Sequence, residues 1–278
     1  MPEEMEINSS GTKRVLMVLG FVLLALVVVS MLGSGHARAD TVVSGPVSGT
    51  WDMAGSPYWV EGDITVNESD TLVIEPGVEV RFNGSYSLNV QGTLRAVGNE
   101  SDKVLFTSNS STPSTSDWNG IRIDMSSTSV VSNTIISYAD IGIYISDCSP
   151  LIEENLINKC GGAIYAEWSS SSFLNNEIRE NGEGLILYSS SGIVRGNTIS
   201  YCMGNLILDT CLGTVVEDNV ISFGLDNVII IGYDDICSVT LSGNQIDSAD
   251  SKGVLIDAYD YEVTVLSVSY THLRAHET

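Results

Sequence analysis

The side chains best suited to catalysis in this sequence are carboxylates, and two of them are adjacent. Glycoside hydrolysis uses a pair of carboxyl groups, one as acid and the other as base or nucleophile. Asp234 and Asp235, in the sequence GYDDIC, supply two such groups, and Asp209 supplies a third candidate. Adjacent residues of a strand point to opposite faces, however, so Asp234 and Asp235 would not converge on one bond. A solvated turn is the alternative interpretation of this pair.

Histidine is absent from the body of the chain. All three histidines, His36, His272 and His276, lie outside residues 40–266. The body therefore has no histidine base, no Ser-His-Asp triad and no His-ligated zinc or copper site. We predict no cofactor and no metal centre, although calcium on surface carboxylates is compatible with the sequence.

The charge of the chain is strongly acidic. The sequence has 35 Asp and Glu against 12 Lys and Arg, for a formal net charge of -23. Such a surface repels nucleic acid, and it repels polyanionic polysaccharides unless bound cations intervene. Nucleic acid is therefore excluded as a partner. Solubility outside the cell or in salt is the alternative explanation of the charge.

A repeat of about 22 residues positions the polar side chains. An Asn-x-Ile triplet recurs through the second half of the body at spacings of 22, 21, 21, 22 and 25 residues. The triplets begin at Asn133, Asn155, Asn176, Asn197, Asn219 and Asn244, and they end at Ile135, Ile157, Ile178, Ile199, Ile221 and Ile246. Each triplet follows one short apolar segment and precedes another, so each unit predicts three short strands separated by turns.

The units can bury an apolar face only by stacking on one another. A strand of three to five residues cannot do so alone, but coils stacked about 4.8 Å apart place like residues over like and close a common interior. The isoleucines would form one wall of that interior. Asparagine suits the turns because it tolerates left-handed backbone and because stacked amides can hydrogen-bond from coil to coil.

The third strand of each unit is predicted to present a candidate binding face. If alternate residues point outward, tyrosines and acids form two adjacent columns on this face. The ligand-binding candidates are Tyr144, Tyr165, Glu167, Tyr188, Asp209 and Asp257. An apolar and aromatic stripe flanked by acids fits a polysaccharide or glycan. The alternative is a packing surface for a loop, a further segment or a neighbouring subunit.

The upstream segments carry a family resemblance. The stretches IEPGVEV (74–80), GTL (92–94) and WNGIRI (118–123) resemble the first coils of pectate-lyase-like right-handed β-helix proteins, in particular the exported surface and secreted repeat proteins of prokaryotes. The Asn-x-Ile units resemble the general repeats of that superfamily. The resemblance implies an all-β, right-handed, single-stranded parallel β-helix. It does not select an activity, because such proteins include lyases, hydrolases, epimerases and adhesins.

The cysteines are predicted to be free thiols. Cys160 and Cys202 both lie five residues after their asparagines, which places them in one column but two coils apart. That separation, about 9.6 Å, exceeds the limit of roughly 7 Å between the Cα atoms of a disulfide. Cys148 and Cys211 are three coils apart. No disulfide is therefore predicted.

Both ends of the chain differ from its body. Residues 1–39 are predicted to be a signal peptide or an N-terminal membrane anchor, because Lys13 and Arg14 precede an apolar helix-forming run at 15–32 and the pattern Ala-Arg-Ala ends at residue 39. Membrane contact would be confined to 15–32. Residues 268–278 resemble a translated sequencing adapter, so we expect residues 267–278 to be an artefact. The β-helix is predicted to comprise irregular first coils at 40–130 and regular repeats at 131–266.

Two functions remain open on this basis. The first is an exported β-helix module, secreted or anchored to the outer face of the cytoplasmic membrane, that binds carbohydrate or a partner or serves structural display without catalysis. The second is a polysaccharide lyase or glycoside hydrolase of the resembled superfamily, truncated at its C-terminus. The sequence predicts no oligomeric state.

Overall fold

The chain forms a right-handed parallel β-solenoid, which confirms the predicted fold class. The computed structural model describes residues 41–125, 128–232, 237–258 and 263–266. The regular coils contribute one strand to each of three parallel ladders, and within the stack each strand pairs with its counterparts in the preceding and following coils. The predicted three strands per unit are thus present, and within the described residues every element is a strand.

The strands are numbered in chain order. The first ladder contains β2 (Gly49–Trp51), β4 (Thr71–Ile74), β7 (Thr93–Val97), β10 (Val130–Ser132), β13 (Leu151–Glu153), β16 (Ser172–Leu174), β19 (Ile193–Arg195), β22 (Leu212–Glu217), β25 (Cys237–Ser242) and β28 (Val263–Leu266). The second contains β5 (Glu79–Phe82), β8 (Val104–Ser108), β11 (Thr134–Ser137), β14 (Leu156–Asn158), β17 (Glu177–Arg179), β20 (Thr198–Ser200), β23 (Val220–Ser222) and β26 (Gln245–Asp247). The third contains β6 (Ser87–Val90), β9 (Gly120–Asp124), β12 (Ile141–Ser146), β15 (Gly162–Glu167), β18 (Glu183–Tyr188), β21 (Gly204–Asp209), β24 (Asp226–Gly232) and β27 (Lys252–Ala258). β1 (Thr41–Pro46) and β3 (Tyr58–Val66) span the second and third ladders.

One wall of the interior is a column of isoleucines on the second ladder. Ile157, Ile178, Ile199, Ile221 and Ile246 pair in sequence along the second ladder, and each is at most 1% exposed. Neighbouring strands alternate inward and outward side chains, so burial follows the period of two that a pleated strand imposes. The apolar interior therefore runs the length of the stack.

A column of buried asparagines lines the turn between the first and second ladders. The backbone N–H and the Nδ2 group of Asn155 both donate to Oδ1 of Asn176, at 3.1 and 3.0 Å. The same pair of bonds links Asn176 to Asn197, Asn197 to Asn219 and Asn219 to Asn244. Each amide also donates to a backbone carbonyl of the previous coil, as Asn197 does to Phe173. The column thus satisfies backbone groups that would otherwise be buried without partners.

The first predicted member of this column is wrong by one position. Thr134, not Asn133, occupies it, because the backbone N–H and Oγ1 of Thr134 donate to Oδ1 of Asn155. Ile136, not Ile135, then pairs with Ile157 inside the core. Asn133 and Ile135 lie on the outer side as half-buried residues. A shift of one residue along a strand exchanges its two faces, so a triplet match alone did not fix the register here.

The left-handed backbone lies one residue before each asparagine of the column. Asn133, Glu154, Asn175 and Asp218 have φ between 51° and 57°, and glycine occupies the equivalent positions 196 and 243 with φ of 68° and 64°. The column asparagines themselves are therefore selected by their buried amide bonds and not by tolerance of left-handed backbone. The preceding residue makes the bend, and its side chain points outward.

The first coils are less regular and contain a stacked pair of large aromatic residues in the core. The rings of Phe82 and Trp118 stack with their centroids 4.0 Å apart, and both residues are almost fully buried. Trp118 Nε1 donates to the carbonyl of Ser137 at 2.8 Å. These contacts have no counterpart in the repeated coils.

Several predictions concern residues outside the described part of the chain. The apolar run at 15–32, with its predicted helix, and the adapter-like segment 267–278 lie there, as do Asp234 and Asp235. Within the described ranges, no helix is long and apolar enough to cross a membrane.

The asparagine column provides a stability test. We expect Asn197→Ala to lower the free energy of unfolding by about 2–4 kcal/mol, because it removes the acceptor for Asn176 and leaves buried polar groups unsatisfied. Asn133→Gly, outside the column, should change it by less than about 1 kcal/mol, since glycine accepts the same φ. Urea denaturation measures both. Equal effects of the two substitutions would contradict the role given to the column.

Candidate functional site

The outward side chains of the third ladder form two adjacent columns, which we call the third-ladder face. The first column is Arg122, Tyr144, Tyr165, Ile186, Ile207, Ile229 and Leu255. The second is Asp124, Ser146, Glu167, Tyr188, Asp209, Ile231 and Asp257. The structure therefore brings all six predicted ligand-binding residues onto one face, and it adds Arg122 and Asp124 from β9.

The tyrosines of the first column stack on one another along the solenoid axis. The rings of Tyr144 and Tyr165 are parallel within 1°, with centroids 5.6 Å apart. The guanidinium carbon of Arg122 lies over the Tyr144 ring at 4.4 Å from its centroid. Both faces of Tyr144 are thus occupied by protein. A sugar ring cannot stack on either face of the Tyr144 ring, so Tyr144 can contribute only its edge and its hydroxyl.

Glu167 is the acid most closely tied to these tyrosines. Its Oε1 accepts hydrogen bonds from the Tyr144 hydroxyl and from Ser146 Oγ, the latter at 3.4 Å. Burial raises the pKa of Tyr144 to about 12, and the hydrogen bond to Glu167 and its charge contribute further. The Tyr144 hydroxyl therefore remains a hydrogen-bond donor at neutral pH. Glu167 is fixed in position by two donors from the preceding coil.

Trp168 supplies the exposed aromatic surface that Tyr144 lacks. It follows Glu167 at the corner of the coil and is 56% exposed. Its ring meets the ring of Tyr188 edge to face, at 6.3 Å between centroids. Trp168 has a φ of 47°, an unusual conformation for a bulky side chain. Asp147, Ser189 and Thr210 have the same left-handed backbone at the equivalent corners, so this conformation belongs to the turn.

Asp124 lies in the second column of the third-ladder face, two coils before Glu167. Burial raises its pKa, the nearby Arg122 guanidinium opposes this change, and Asp147 and Glu167 reinforce it. Asp124 and Glu167 occupy the same column with Ser146 between them, which puts two coil spacings, about 9.6 Å, between their backbones. The two carboxyl groups therefore differ in environment although they face the same strip of surface.

The two remaining candidates among the described residues, Asp209 and Asp257, also lie on this face. Asp209 follows Tyr188 in the second column and accepts a hydrogen bond from Thr210 Oγ1 at 2.8 Å. Asp257 lies at the far end of the same column. Within the described residues, no group of three or more His, Cys, Asp or Glu side chains is placed to hold a metal ion.

The sequence interpretation missed Arg122, Asp124 and Trp168. Arg122 and Asp124 lie in the WNGIRID segment of an irregular coil, outside the series of triplets spaced by 21–25 residues that set the register of the later coils. Their alternation with Ile121 and Ile123 was nevertheless a usable signal that they point outward. Trp168 was hidden because it lies at a corner, just beyond the strand whose alternation was followed.

A separate groove of about 730 Å³ lies on the side of the second ladder. It is lined by Asn99, Lys103, Glu154, Leu156 and Glu177 among others. Lys103 Nζ donates to the carbonyl of Glu154 across it. None of the predicted ligand-binding residues lines this groove, and its lining residues include no aromatic side chain. The third-ladder face is therefore the better candidate.

Comparison with known proteins identifies the family. The model described as a right handed beta helix region matches residues 58–199 and again residues 119–268. The chain belongs to this right-handed β-helix family. This membership agrees with the resemblance noted in the sequence, and it establishes a fold without assigning a reaction.

Individual relatives are distant. A 72-residue stretch, 26% of the chain, is 33% identical to Protein bark beetle of Drosophila melanogaster, and the match covers 2% of that protein. Among solved structures, a mutant of the periplasmic alginate epimerase AlgG aligns at 13% identity with a TM-score of 0.48, covering 83% of this chain and 78% of its own. An alginate lyase from Paenibacillus sp. str. FPU-7 aligns at 15% identity with a TM-score of 0.39, covering 76% and 94%. No residue role is transferred from these proteins.

The contact between Tyr144 and Glu167 can be tested by titration. We expect Glu167→Gln to lower the pKa of Tyr144 from about 12 while leaving it above 10, because the charge is removed and burial remains. Phenolate absorbance of each protein, minus that of its Tyr144→Phe derivative, isolates this residue. Glu153→Gln on the first ladder is the control, and an unchanged Tyr144 pKa in Glu167→Gln would contradict the assignment.

The same pKa sets a stability window. Because the folded-state pKa of Tyr144 lies above its ordinary value of 10.0, the stability contributed by the neutral hydroxyl is complete below pH 10 and is lost as the pH rises toward 12. Tyr144→Phe should therefore lose less stability than the wild type across this interval, as measured by urea denaturation at several pH values.

Proposed function

We propose that this protein is an exported β-helix module that binds a glycan along the third-ladder face. The observation that carries the proposal is the exposed Trp168 ring beside a fixed row of hydrogen-bonding groups on Glu167, Tyr188 and Asp209. Aromatic surfaces pack against the apolar faces of sugars, and carboxylates and phenols bond their hydroxyls. Export rests on the leader pattern of residues 1–39.

Repetition of the site along the axis suits a polymeric ligand. Successive coils present outward side chains about 4.8 Å apart, so a long chain can contact several coils, each through a different side chain. Short contacts of modest strength then add along the polymer. A small isolated ligand would use only one or two of these positions.

The charge of the face favours an uncharged glycan over a polyuronate. Asp124, Asp147, Glu167 and Asp209 lie on or beside it, whereas Arg122 is already placed over Tyr144. A carboxylated polymer would approach these groups against their repulsion. We therefore propose a neutral or amino-sugar polysaccharide as the ligand class.

Affinity electrophoresis tests the binding site. Native gels containing xylan, galactomannan, mixed-linkage glucan, chitosan or polygalacturonate should show retardation by at least one of the first four and not by the last. Trp168→Ala should weaken the retarding interaction roughly tenfold, since the aromatic contact is lost. Tyr201→Ala is the matched control, because Tyr201 is equally exposed at 57% but lies on a different corner.

Two outcomes would overturn this function. Retardation that is unchanged in Trp168→Ala would show that the glycan binds to another surface. No retardation by any polymer would leave the third-ladder face as a packing surface for a protein partner. Circular dichroism of each variant should show the wild-type strand content, so that loss of binding is separated from loss of fold.

A second candidate function is hydrolysis of the bound glycan. Inverting glycosidases keep their two carboxyl groups about 6.5–9.5 Å apart to admit a water molecule. Two coil spacings between Asp124 and Glu167 are compatible with this range once the side chains incline toward each other. The raised pKa of Asp124 suits a proton donor to the glycosidic oxygen, and Glu167 is held to take a proton from water.

Reducing-end assays decide between binding and hydrolysis. If the face is catalytic, Asp124→Asn and Glu167→Gln should each lower kcat at least a hundredfold, because each removes one proton-transfer group. Glu183→Gln, an exposed acid on the same ladder, should retain activity. The product should have the inverted anomeric configuration by NMR. No reducing ends from the wild type, or equal rates in all variants, would exclude this mechanism.

A further inference from the structure

The corner that follows the third ladder contains a column of small polar residues and thiols. Its members, one from each successive coil, are Cys148, Ser169, Ser190, Cys211 and Cys237. Three members share one contact. The side chains of Cys148, Ser190 and Cys211 are directed to carbonyl groups of the previous coil, those of Ile123, Ala166 and Leu187 respectively. All five side chains are buried.

Cys211 and Cys237 are neighbours in this column. Leu212 pairs with Ser238, and the backbone N–H of Ser238 donates to the carbonyl of Cys211 at 2.7 Å. The two cysteines therefore lie side by side on adjacent coils, about 4.8 Å apart along the axis. This separation is within the range of roughly 4.4–6.8 Å between the Cα atoms of a disulfide.

The other cysteines do not have this arrangement. Asn181 lies between Cys160 and Cys202, since its side chain accepts from the backbone N–H of Cys160 and interacts with the Cys202 thiol. Ser169 and Ser190 separate Cys148 from Cys211. Of the five cysteines, all of them within the described residues, Cys211 and Cys237 alone occupy one column in adjacent coils.

We propose that Cys211 and Cys237 form a disulfide that links two successive coils when the protein folds under oxidising conditions. The five cysteines are free thiols in this structure, so the proposal concerns the oxidised protein. The linkage would close the coil with the widest triplet spacing, 25 residues, and would restrain it against separation from the preceding coil.

The oxidant is a small-molecule disulfide such as oxidised glutathione. One cysteine thiolate attacks it, forming a mixed disulfide and releasing one reduced glutathione. The second cysteine thiolate then displaces the other glutathione and forms the Cys211–Cys237 bond. The protein gives up two electrons and two protons, and one molecule of oxidised glutathione becomes two of the reduced form.

Burial determines when this reaction occurs. It raises the pKa of Cys211 to about 12, with a smaller contribution from the adjacent Cys237, whose own pKa is also raised by burial. Few thiolates form at neutral pH in the folded state, so the folded reduced protein should react slowly. The bond should instead form during folding, before the corner closes.

Peptide mapping tests the linkage. The wild-type chain is refolded from denaturant in a glutathione redox buffer, alkylated without reduction, digested and analysed by mass spectrometry. We expect a linked peptide pair containing Cys211 and Cys237, lighter than the two reduced peptides by two hydrogens. Cys148, Cys160 and Cys202 should be found alkylated once the folded protein has been opened in denaturant.

Serine variants supply the control. Cys211→Ser and Cys237→Ser place in the column the residue that it already has at 169 and 190, and Cys148→Ser leaves the pair intact. Oxidation should raise Tm by roughly 5–10 °C in the wild type and in Cys148→Ser but in neither variant of the pair. Alkylation of both Cys211 and Cys237 in the oxidised refolded wild type, or linkage of either to another cysteine, would overturn the proposal.

Discussion

The structure depends on satisfying buried backbone groups wherever a coil changes direction. A coil that turns between ladders breaks the strand pairing, and the N–H groups at the turn face the interior. The asparagine column satisfies these groups with one side chain per coil. The amide oxygen accepts two hydrogen bonds from the previous asparagine, and the amide nitrogen donates to backbone carbonyls. Side-chain amides are used in the same way at another corner. There Asn181 Oδ1 accepts from the backbone N–H of Cys160, and Asn205 Nδ2 donates to Asn227 Oδ1. Ladder pairing then supplies the remaining bonds.

Much of this fold was accessible from the sequence because the same side chain, asparagine, recurs in the column at Asn155, Asn176, Asn197, Asn219 and Asn244. The Asn-x-Ile spacing gave the coil length, the second ladder and, by counting forward, both columns of the third-ladder face. It misplaced Asn133 because Thr134 offers a hydroxyl in place of the amide at the next position. The lesson is physical: the column requires an inward hydrogen-bonding group, and asparagine is only its commonest form.

The parts of the site that sequence reasoning missed depend on side-chain orientations, which the spacing of the repeat does not determine. Alternation placed the tyrosines outward, but it did not show that Arg122 and Tyr165 cover both faces of Tyr144. Corner residues such as Trp168 follow no alternation at all. Counting from the asparagines does not align Cys237 with Cys211, because Cys211 follows Asn197 by 14 residues and Cys237 follows Asn219 by 18. Family membership does not fill these gaps, because it establishes the fold and assigns no role to the outward residues.

The aromatic stack of the first coils has a consequence for how the chain finds its alignment. Coils that repeat the same asparagine and isoleucine offer several nearly equivalent pairings, and an error of one whole coil would preserve most contacts within the repeated part. The fit of Phe82 against Trp118, together with the bond from the Trp118 indole to Ser137, exists at a single place. This contact therefore fixes the alignment of the first repeated coil, and each later coil aligns on the coil before it. A stack displaced by one coil would lose the aromatic contact and leave a cavity in its place.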